Sequence, residues 1–376
     1  MSVLLKKPVF NGVSQKELAG QLESKKKCKE KLPTWFNTTG IYYPKKLNIE
    51  QTSSEQTAAY KSRLVNGKKL LDVTGGLGVD TYFFSKEIAT VFHCEIDTDL
   101  SEISAYNFEV LGRKNIHCLS ENGIEYLKET DQKFDWVYVD PSRRSDSKGK
   151  VFLLEDCIPN LPEYLSMIFE KSTNVLIKTS PLLDITQGIK ELDHIKEIHV
   201  VAVQNEVKEL LFVLEYGFDG EIDIKTINLA KGKEEIFDFR LQDELQLAIS
   251  SGPPETYLYE PNAAILKSGG FKSVSRMFEL NKLHKHSHLY TSVKLIDFPG
   301  RRFEIVNTIS YSKKGLKILN IPKANITTRN FPSTVAELRR KHKIKDGGDK
   351  YLFFTTDLND KLIILECKKT NQHIPI

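Results

Sequence analysis

The chain has 376 residues, 40% of them apolar and 28% charged, and a net charge of +4, a balance too small to select a class of partner. That length exceeds one ordinary core, so about two to four domains are expected. Five scattered cysteines without a C-x-x-C pair, no apolar run near the roughly 18 residues of a membrane span, and Lys6 and Lys7 too early for a signal peptide point to a reducing cytoplasm, with no membrane and no metal.

Ser14 to Lys31 reads as a helix opened by a Ser-Gln-Lys-Glu capping box. The lysines of Lys25 to Lys31 suit either a solvated face or a polyanion. Leu32-Pro33-Thr34-Trp35-Phe36 breaks the helix and offers an aromatic anchor. Glu50 to Lys61 reads as a second helix start, with Ser54 among the hydroxyl and acid groups crowded into its first turn. Those groups either cap the helix or cover the amino-acid end of a cofactor bound after the first strand.

From 69 to 216 strand and helix patterns alternate, with strands expected at 69–73, 91–95, 115–119, 134–139, 173–178, 198–204 and 209–216. Gaps filled by crossover helices, such as Leu100 to Gly112, imply a parallel sheet. Only Asn205 to Glu209 separate the last two strands, too few for a crossover, so the seventh runs antiparallel to the sixth. The first strand ends in Asp72-Val73-Thr74-Gly75-Gly76-Leu77-Gly78-Val79-Asp80, and Thr81 to Ile88 reads as the opening of a helix. A glycine turn at that position either makes a tight connection or cradles a nucleotide. Glu95, with Ile96 beside it, ends the second strand 23 positions after Asp72, near the ~20-residue offset at which an acid takes ribose hydroxyls. Thr81 stands where a dinucleotide motif needs its third glycine, and Asp72 would sit close to a pyrophosphate. A carboxylate there suits a cationic ligand such as S-adenosyl-L-methionine (SAM), leaving NAD as runner-up. The D-x-x-G-G-x-G arrangement resembles the first motif of class I SAM-dependent methyltransferases, and six parallel strands closed by an antiparallel hairpin is their topology.

After the third strand, Asn122-Gly123 either makes an ordinary turn or meets the adenine amino group. After the fourth comes Asp140-Pro141-Ser142-Arg143-Arg144, a rigid turn that pushes polar groups into the cleft. It resembles the Asp/Asn-Pro-Pro-aromatic motif of amino-methylating enzymes, with Ser142 for the second proline and Arg143 for the aromatic. Arg143 and Arg144 suit a phosphate or the acceptor, by stacking or by bidentate hydrogen bonds, or else Arg143 pairs with Glu155 or Asp156. Lys178-Thr179-Ser180-Pro181 completes the rim. No cysteine is placed for C5 methylation of a pyrimidine.

The stretches Glu50 to Glu55, Asp72 to Asp80, Asp140 to Arg144 and Lys178 to Pro181, with Tyr257 to Ile265 and Asn325 to Pro332 in the tail, resemble bacterial class I methyltransferases that carry ferredoxin-like and THUMP-like C-terminal domains. The resemblance covers roughly 30 to 370, and the chain is short at its N-terminus for that family. It implies the α/β class: a seven-stranded Rossmann-like sheet with an N-terminal helical segment and small α+β C-terminal domains. The expected divisions are 1–45, 46–217, 218–294 and 295–376, with SAM as cofactor. It leaves substrate and oligomeric state open.

The last segment, 296 to 350, holds 13 Lys and Arg against 5 Asp and Glu. Arg301, Arg302, Lys313, Lys314, Arg329, Arg339 and Arg340 are interleaved there with Phe303, Tyr311 and Phe331, which suits either an RNA backbone with stacking sites or a solvated basic face. The expected function is therefore a SAM-dependent methyltransferase acting on a tRNA or rRNA base. Ser54, Asp72, Thr74, Gly75, Gly76, Gly78, Asp80, Glu95, Ile96, Asn122, Gly123 and Asp140 would hold the cofactor, and Asp140, Pro141, Arg143 and Arg144 the acceptor. The alternatives are methylation of a protein or small molecule, an NAD-linked oxidoreductase, and an RNA-binding protein without turnover.

Overall fold

The computed structural model describes residues 12–143, 153–312, 315 and 321–370. The chain forms two units, residues 1–203 with 208–220, and 204–207 with 221–376.

In the first unit, α1 (Gln15–Lys31) is capped by Ser14, whose hydroxyl accepts from Glu17 N at 3.1 Å. Short α2 (Pro33–Asn37) and α3 (Lys46–Gln51) follow. Trp35 is buried and meets Tyr82 edge-on at 4.9 Å. Cys28, Leu32, Ile41, Tyr43 and Ile49 share a cluster with Phe83 and Phe108, so the N-terminal helices belong to the core of the sheet domain. Where one helix start was expected at Glu50 to Lys61, the chain makes two helices. Extended backbone at Thr52 and Ser54 ends α3 and starts α4 (Glu55–Ser62), with Ser54 accepting from Thr57 N at 3.2 Å.

Seven strands of this unit, β1 (Lys69–Asp72), β2 (Thr90–Cys94), β3 (Ile116–Leu119), β4 (Phe134–Val139), β5 (Ser172–Thr179), β6 (Ile195–Val203) and β7 (Glu206–Glu215), lie in the order β3-β2-β1-β4-β5-β7-β6. Leu70 and Leu71 are both fully buried, as are Val175, Leu176 and Ile177, because helices cover both faces of a parallel sheet and alternation disappears. The strands from β3 to β5 pair in parallel, and β7 runs antiparallel to β5. Gln204 and Asn205, at φ 50° and 65°, make the two-residue turn into β7, tighter than the five residues expected. The crossover helices are α5 (Val79–Phe84), α6 (Thr98–Val110), α7 (Gly123–Glu129), α8 (Leu161–Lys171) and α9 (Ile185–Glu191). Strand order reverses between β1 and β4, which opens a crevice beyond their carboxyl ends.

The second unit holds an antiparallel hairpin, β8 (Asp223–Ala230) and β9 (Lys233–Arg240). It also holds a second seven-stranded sheet, in the order β11-β12-β10-β13-β16-β15-β14. Its strands are β10 (Tyr257–Pro261), β11 (Asn281–Lys282), β12 (Tyr290–Ser292), β13 (Gly300–Ser310), β14 (Asn325–Thr328), β15 (Lys350–Thr356) and β16 (Leu362–Lys369). Helices α10 (Leu241–Gln246), α11 (Ala263–Ser268), α12 (Phe271–Met277) and α13 (Val335–His342) complete it.

Candidate active site

The crevice is a cleft of about 980 Å³. Asp72, Thr74, Gly75, Gly76, Asp80, Glu95, Ile96, Asn122, Gly123 and Asp140 all line it. Their order along the chain explains the meeting: each follows a strand whose carboxyl end points the same way. Eight carboxylates line the cleft, those of Asp72, Asp80, Glu95, Asp97, Glu121, Glu125, Asp140 and Glu163. Lys178 is the single Lys or Arg among the described lining residues. Such a surface repels a pyrophosphate and attracts a cation.

The glycine turn is shaped from below. His93, fully buried on β2, lies beneath Gly75, where an added Cβ would sit 2.2 Å from its ring. Burial holds the His93 imidazole neutral, with its pKa lowered to about 4. Thr81 Oγ1 donates to Asp72 Oδ2 at 2.7 Å and lies 3.0 Å from His93 Nδ1, which tethers the turn to the strand. Gly76 needs its freedom for a different reason, a φ of +57°. Gly75→Ala should therefore displace His93 and cost about 1–3 kcal/mol by overpacking. The measurement is thermal melting by circular dichroism, and an unchanged midpoint would contradict the packing described.

Glu95 is aimed by two backbone donors, Gly76 N to Oε2 at 2.7 Å and Asp97 N to Oε1 at 2.8 Å. Asn122 caps α7, its Oδ1 accepting from Ile124 N at 2.9 Å and Glu125 N at 3.4 Å. That is the capping turn the sequence offered as one reading of Asn122-Gly123, and Asn122 also lines the cleft. Asp72 is buried, and burial pushes its carboxyl up to about 7 against hydrogen bonds from Thr81 and from Thr74 N. Asp140 N donates to Thr74 Oγ1 at 2.7 Å, and the Asp140 carboxylate pairs with Lys178 through Oδ2.

Behind the cleft lies a charge cluster that sequence reading missed. Lys61 on α4 is fully buried, donating to both oxygens of Glu209 at 2.8 Å and to Ser53 Oγ at 3.1 Å, with Asp80 Oδ1 3.2 Å away. Ser53 and Tyr138 each donate to Asp80 Oδ2 at 2.8 Å. Burial raises Asp80, yet Lys61, Lys178 and these hydrogen bonds outweigh it and leave its carboxyl below the usual range. The available signal was a lysine three residues after Ala58, on the same helix face. Ile158, Pro159, Asn160 and Tyr164 also line the cleft, and no motif marked them.

Three of the expected site residues lie beside the cleft instead of lining it: Ser54 caps α4, Gly78 starts α5 in the left-handed region, and Pro141 is buried. Arg143 belongs to a two-residue ribbon with Cys157–Ile158; its side chain and Arg144 lie outside the described residues. In the second unit, Arg301 Nε donates to buried Glu260 Oε2 at 2.6 Å and Arg329 Nη2 donates to Oε1 at 2.9 Å. Arg302 Nη1 donates to Ile296 O at 3.2 Å, Arg339 Nη1 to Ala324 O at 3.2 Å, and Arg340 is exposed. Lys313 and Lys314 lie outside the described residues. Among the described residues no group of His, Cys, Asp and Glu is arranged to hold a metal ion, and no helix is long and apolar enough to cross a membrane.

Family models match the second unit: a ferredoxin-like domain over residues 257–299 and a THUMP domain-like segment over 300–369. One sheet carries both, since β10 pairs with β13 across that division. An uncharacterized RNA methyltransferase of Mycoplasma mobile is 29% identical over 106 residues, a stretch spanning 28% of this chain and 29% of that relative. The crystal structure of a protein from Porphyromonas gingivalis W83, assigned as a methyltransferase, is 34% identical; the match covers 98% of this chain and 94% of that one, with a TM-score of 0.91. On the strength of that likeness along nearly its whole length, the chain belongs to the methyltransferase family of the Porphyromonas gingivalis protein.

Proposed function

We propose that the chain is a SAM-dependent methyltransferase of an RNA base, working in the cytoplasm. The observation that carries the cofactor is the lining of the cleft, eight carboxylates facing one ammonium at the switch point of the sheet. A cleft of about 980 Å³ lies in the range of small-ligand sites, about 300–1,000 Å³. When bound, SAM supplies a methyl group on a cationic sulfur. Asp72 and the glycine turn would hold its amino-acid end, Glu95 the ribose hydroxyls, and Asn122 with Ile96 the adenine. Asp140 would orient the acceptor, and alignment with an unprotonated nucleophile is most of what the reaction requires. RNA as substrate is supported by the THUMP domain-like segment and by the name of the Mycoplasma mobile relative. Five free cysteines fit a reducing compartment. The domain divisions we propose are 1–45, 46–217, 218–294 and 295–376, with the first packed into the core of the second.

The test is incubation of the protein with methyl-labelled SAM and total cell extract, with calorimetry of SAM and NADH alongside. RNase-sensitive label is the expected result. RNase-resistant label would end the RNA assignment, and affinity for NADH without affinity for SAM would end the whole reading.

Asp72 adds a pH dependence. Its folded pKa is raised to about 7, so it is ionised above that value and neutral below. The ionised form attracts an ammonium group, so SAM affinity should fall about tenfold from pH 8 to pH 6. Asp72→Asn should flatten that slope in calorimetry; an equal slope in the variant would remove Asp72 from the ammonium's surroundings.

A further inference from the structure

We propose that Lys178 is a positioning residue for the transfer step, clamping Asp140 so that its free oxygen faces the cleft and selects an acceptor nitrogen that carries a proton. The proposal rests on the methyl-transfer reading above. Asp140 and Lys178 follow Val139 and Ile177, which are register partners on adjacent parallel strands, so the sheet itself brings the two side chains together. The Lys178 side chain is 14% exposed and that of Asp140 33%, and both line the cleft. Lys178 takes Oδ2, while Thr74 Oγ1 accepts from the Asp140 backbone N–H at 2.7 Å and fixes the main chain. Among the described residues, Asp140 Oδ1 accepts no hydrogen bond.

Around this pair stand Asp80, Glu209 and Asp72 as acids and Lys61 and Lys31 as bases. Burial would lower the Lys178 ammonium, and Asp140, Glu209 and Asp80 together raise it beyond its ordinary value. It stays charged and cannot serve as the base.

A carboxylate oxygen only accepts, so the group it orients must donate. An alcohol must lose its proton before it attacks, and a carboxylate with one oxygen already held by a lysine is poorly placed to take it. An exocyclic amino nitrogen needs no such help, because it can attack with its N–H bonds intact. Its lone pair forms the N–C bond as the C–S bond breaks and its electrons pass to sulfur. The proton made acidic on the alkylated nitrogen passes to Asp140 Oδ1 and on to water. The geometry therefore favours N-methylation over ribose O-methylation.

Two experiments test this, and the first uses no cofactor. In protein labelled with carboxyl-13C aspartate, with Asp140 assigned through Asp140→Asn, Lys178→Met should move the Asp140 carboxyl resonance, because the ammonium held on its Oδ2 is gone. Lys178→Arg should restore it. If the Met variant does not fold, Lys178→Gln is read the same way. An unmoved resonance overturns the positioning role even if methyl transfer is confirmed. In the second, kcat/KM for the acceptor should fall at least about tenfold in Lys178→Met and recover in Lys178→Arg. A value within about twofold of wild type in Lys178→Met overturns the role. Nucleoside analysis should find the methyl group on nitrogen; a methyl on carbon or on ribose oxygen overturns the acceptor assignment.

Discussion

Lys61→Met should remove about 3–5 kcal/mol of folding stability, because it leaves two buried carboxylates without their shared cation. Lys61 is fully buried and donates to both oxygens of Glu209 at 2.8 Å, with Asp80 at 3.2 Å. Both acids are buried: Glu209 is 2% exposed and Asp80, at the floor of the cleft, 8% exposed. The deficit should also depend on pH in a definite direction. In the wild type the Asp80 carboxyl lies below its ordinary value, so its contribution is present above the unfolded pKa of about 4 and lost as pH falls. Burial already holds Glu209 above its ordinary value, and without Lys61 it raises Glu209 further and Asp80 above its own unfolded value. A group of that kind stabilises below its unfolded pKa and loses that contribution as pH rises. The gap between variant and wild type should therefore be larger at pH 8 than at pH 5. Urea denaturation at the two pH values measures it, with Lys61→Met/Glu209→Gln recovering part of the loss. A deficit below about 1 kcal/mol, or one that widens toward pH 5, would mean that the cluster is wet or differently paired.

Asp140→Asn should leave SAM affinity within a few-fold and lower single-turnover methyl transfer by at least about a hundredfold. The substitution keeps size and shape. It can present an amide N–H₂ where the acceptor also brings a donor, so two donors face each other and the nucleophile is pushed off line. Asp140 is tied to the glycine turn by its own backbone N–H, which donates to Thr74 Oγ1, and that bond survives in the variant. Calorimetry and rapid-quench transfer separate the two effects. Loss of SAM affinity with transfer otherwise intact would place Asp140 on the cofactor side of the cleft.

Much of the first unit was legible because local chemistry and topology agree there. Continuous apolar runs ending in acids marked β1 and β2, and a gap too short for a crossover dictated the antiparallel β7. Once the strands are parallel, residues after their carboxyl ends converge, so the sequence alone groups Asp72, Glu95, Asn122 and Asp140. The N-terminal helices were harder, since nothing in Gln15–Lys31 announces that Cys28 and Leu32 pack against residues more than fifty positions later.

The sequence by itself determined the alternation of strands and helices, the reversal of the last strand, the glycine turn and the ring of strand-end acids, because these follow from periodicity, loop length and the steric needs of single residues. Only the tertiary structure decided what each polar group does with its partners. Lys61 in a short helix and Glu209 at the mouth of a strand look like surface charges until folding places them 2.8 Å apart in a dry interior. Arg301 and Arg329 look like free cations until Glu260 is found between them. Pairing of this kind depends on distances between residues remote in the chain, which composition and spacing do not encode.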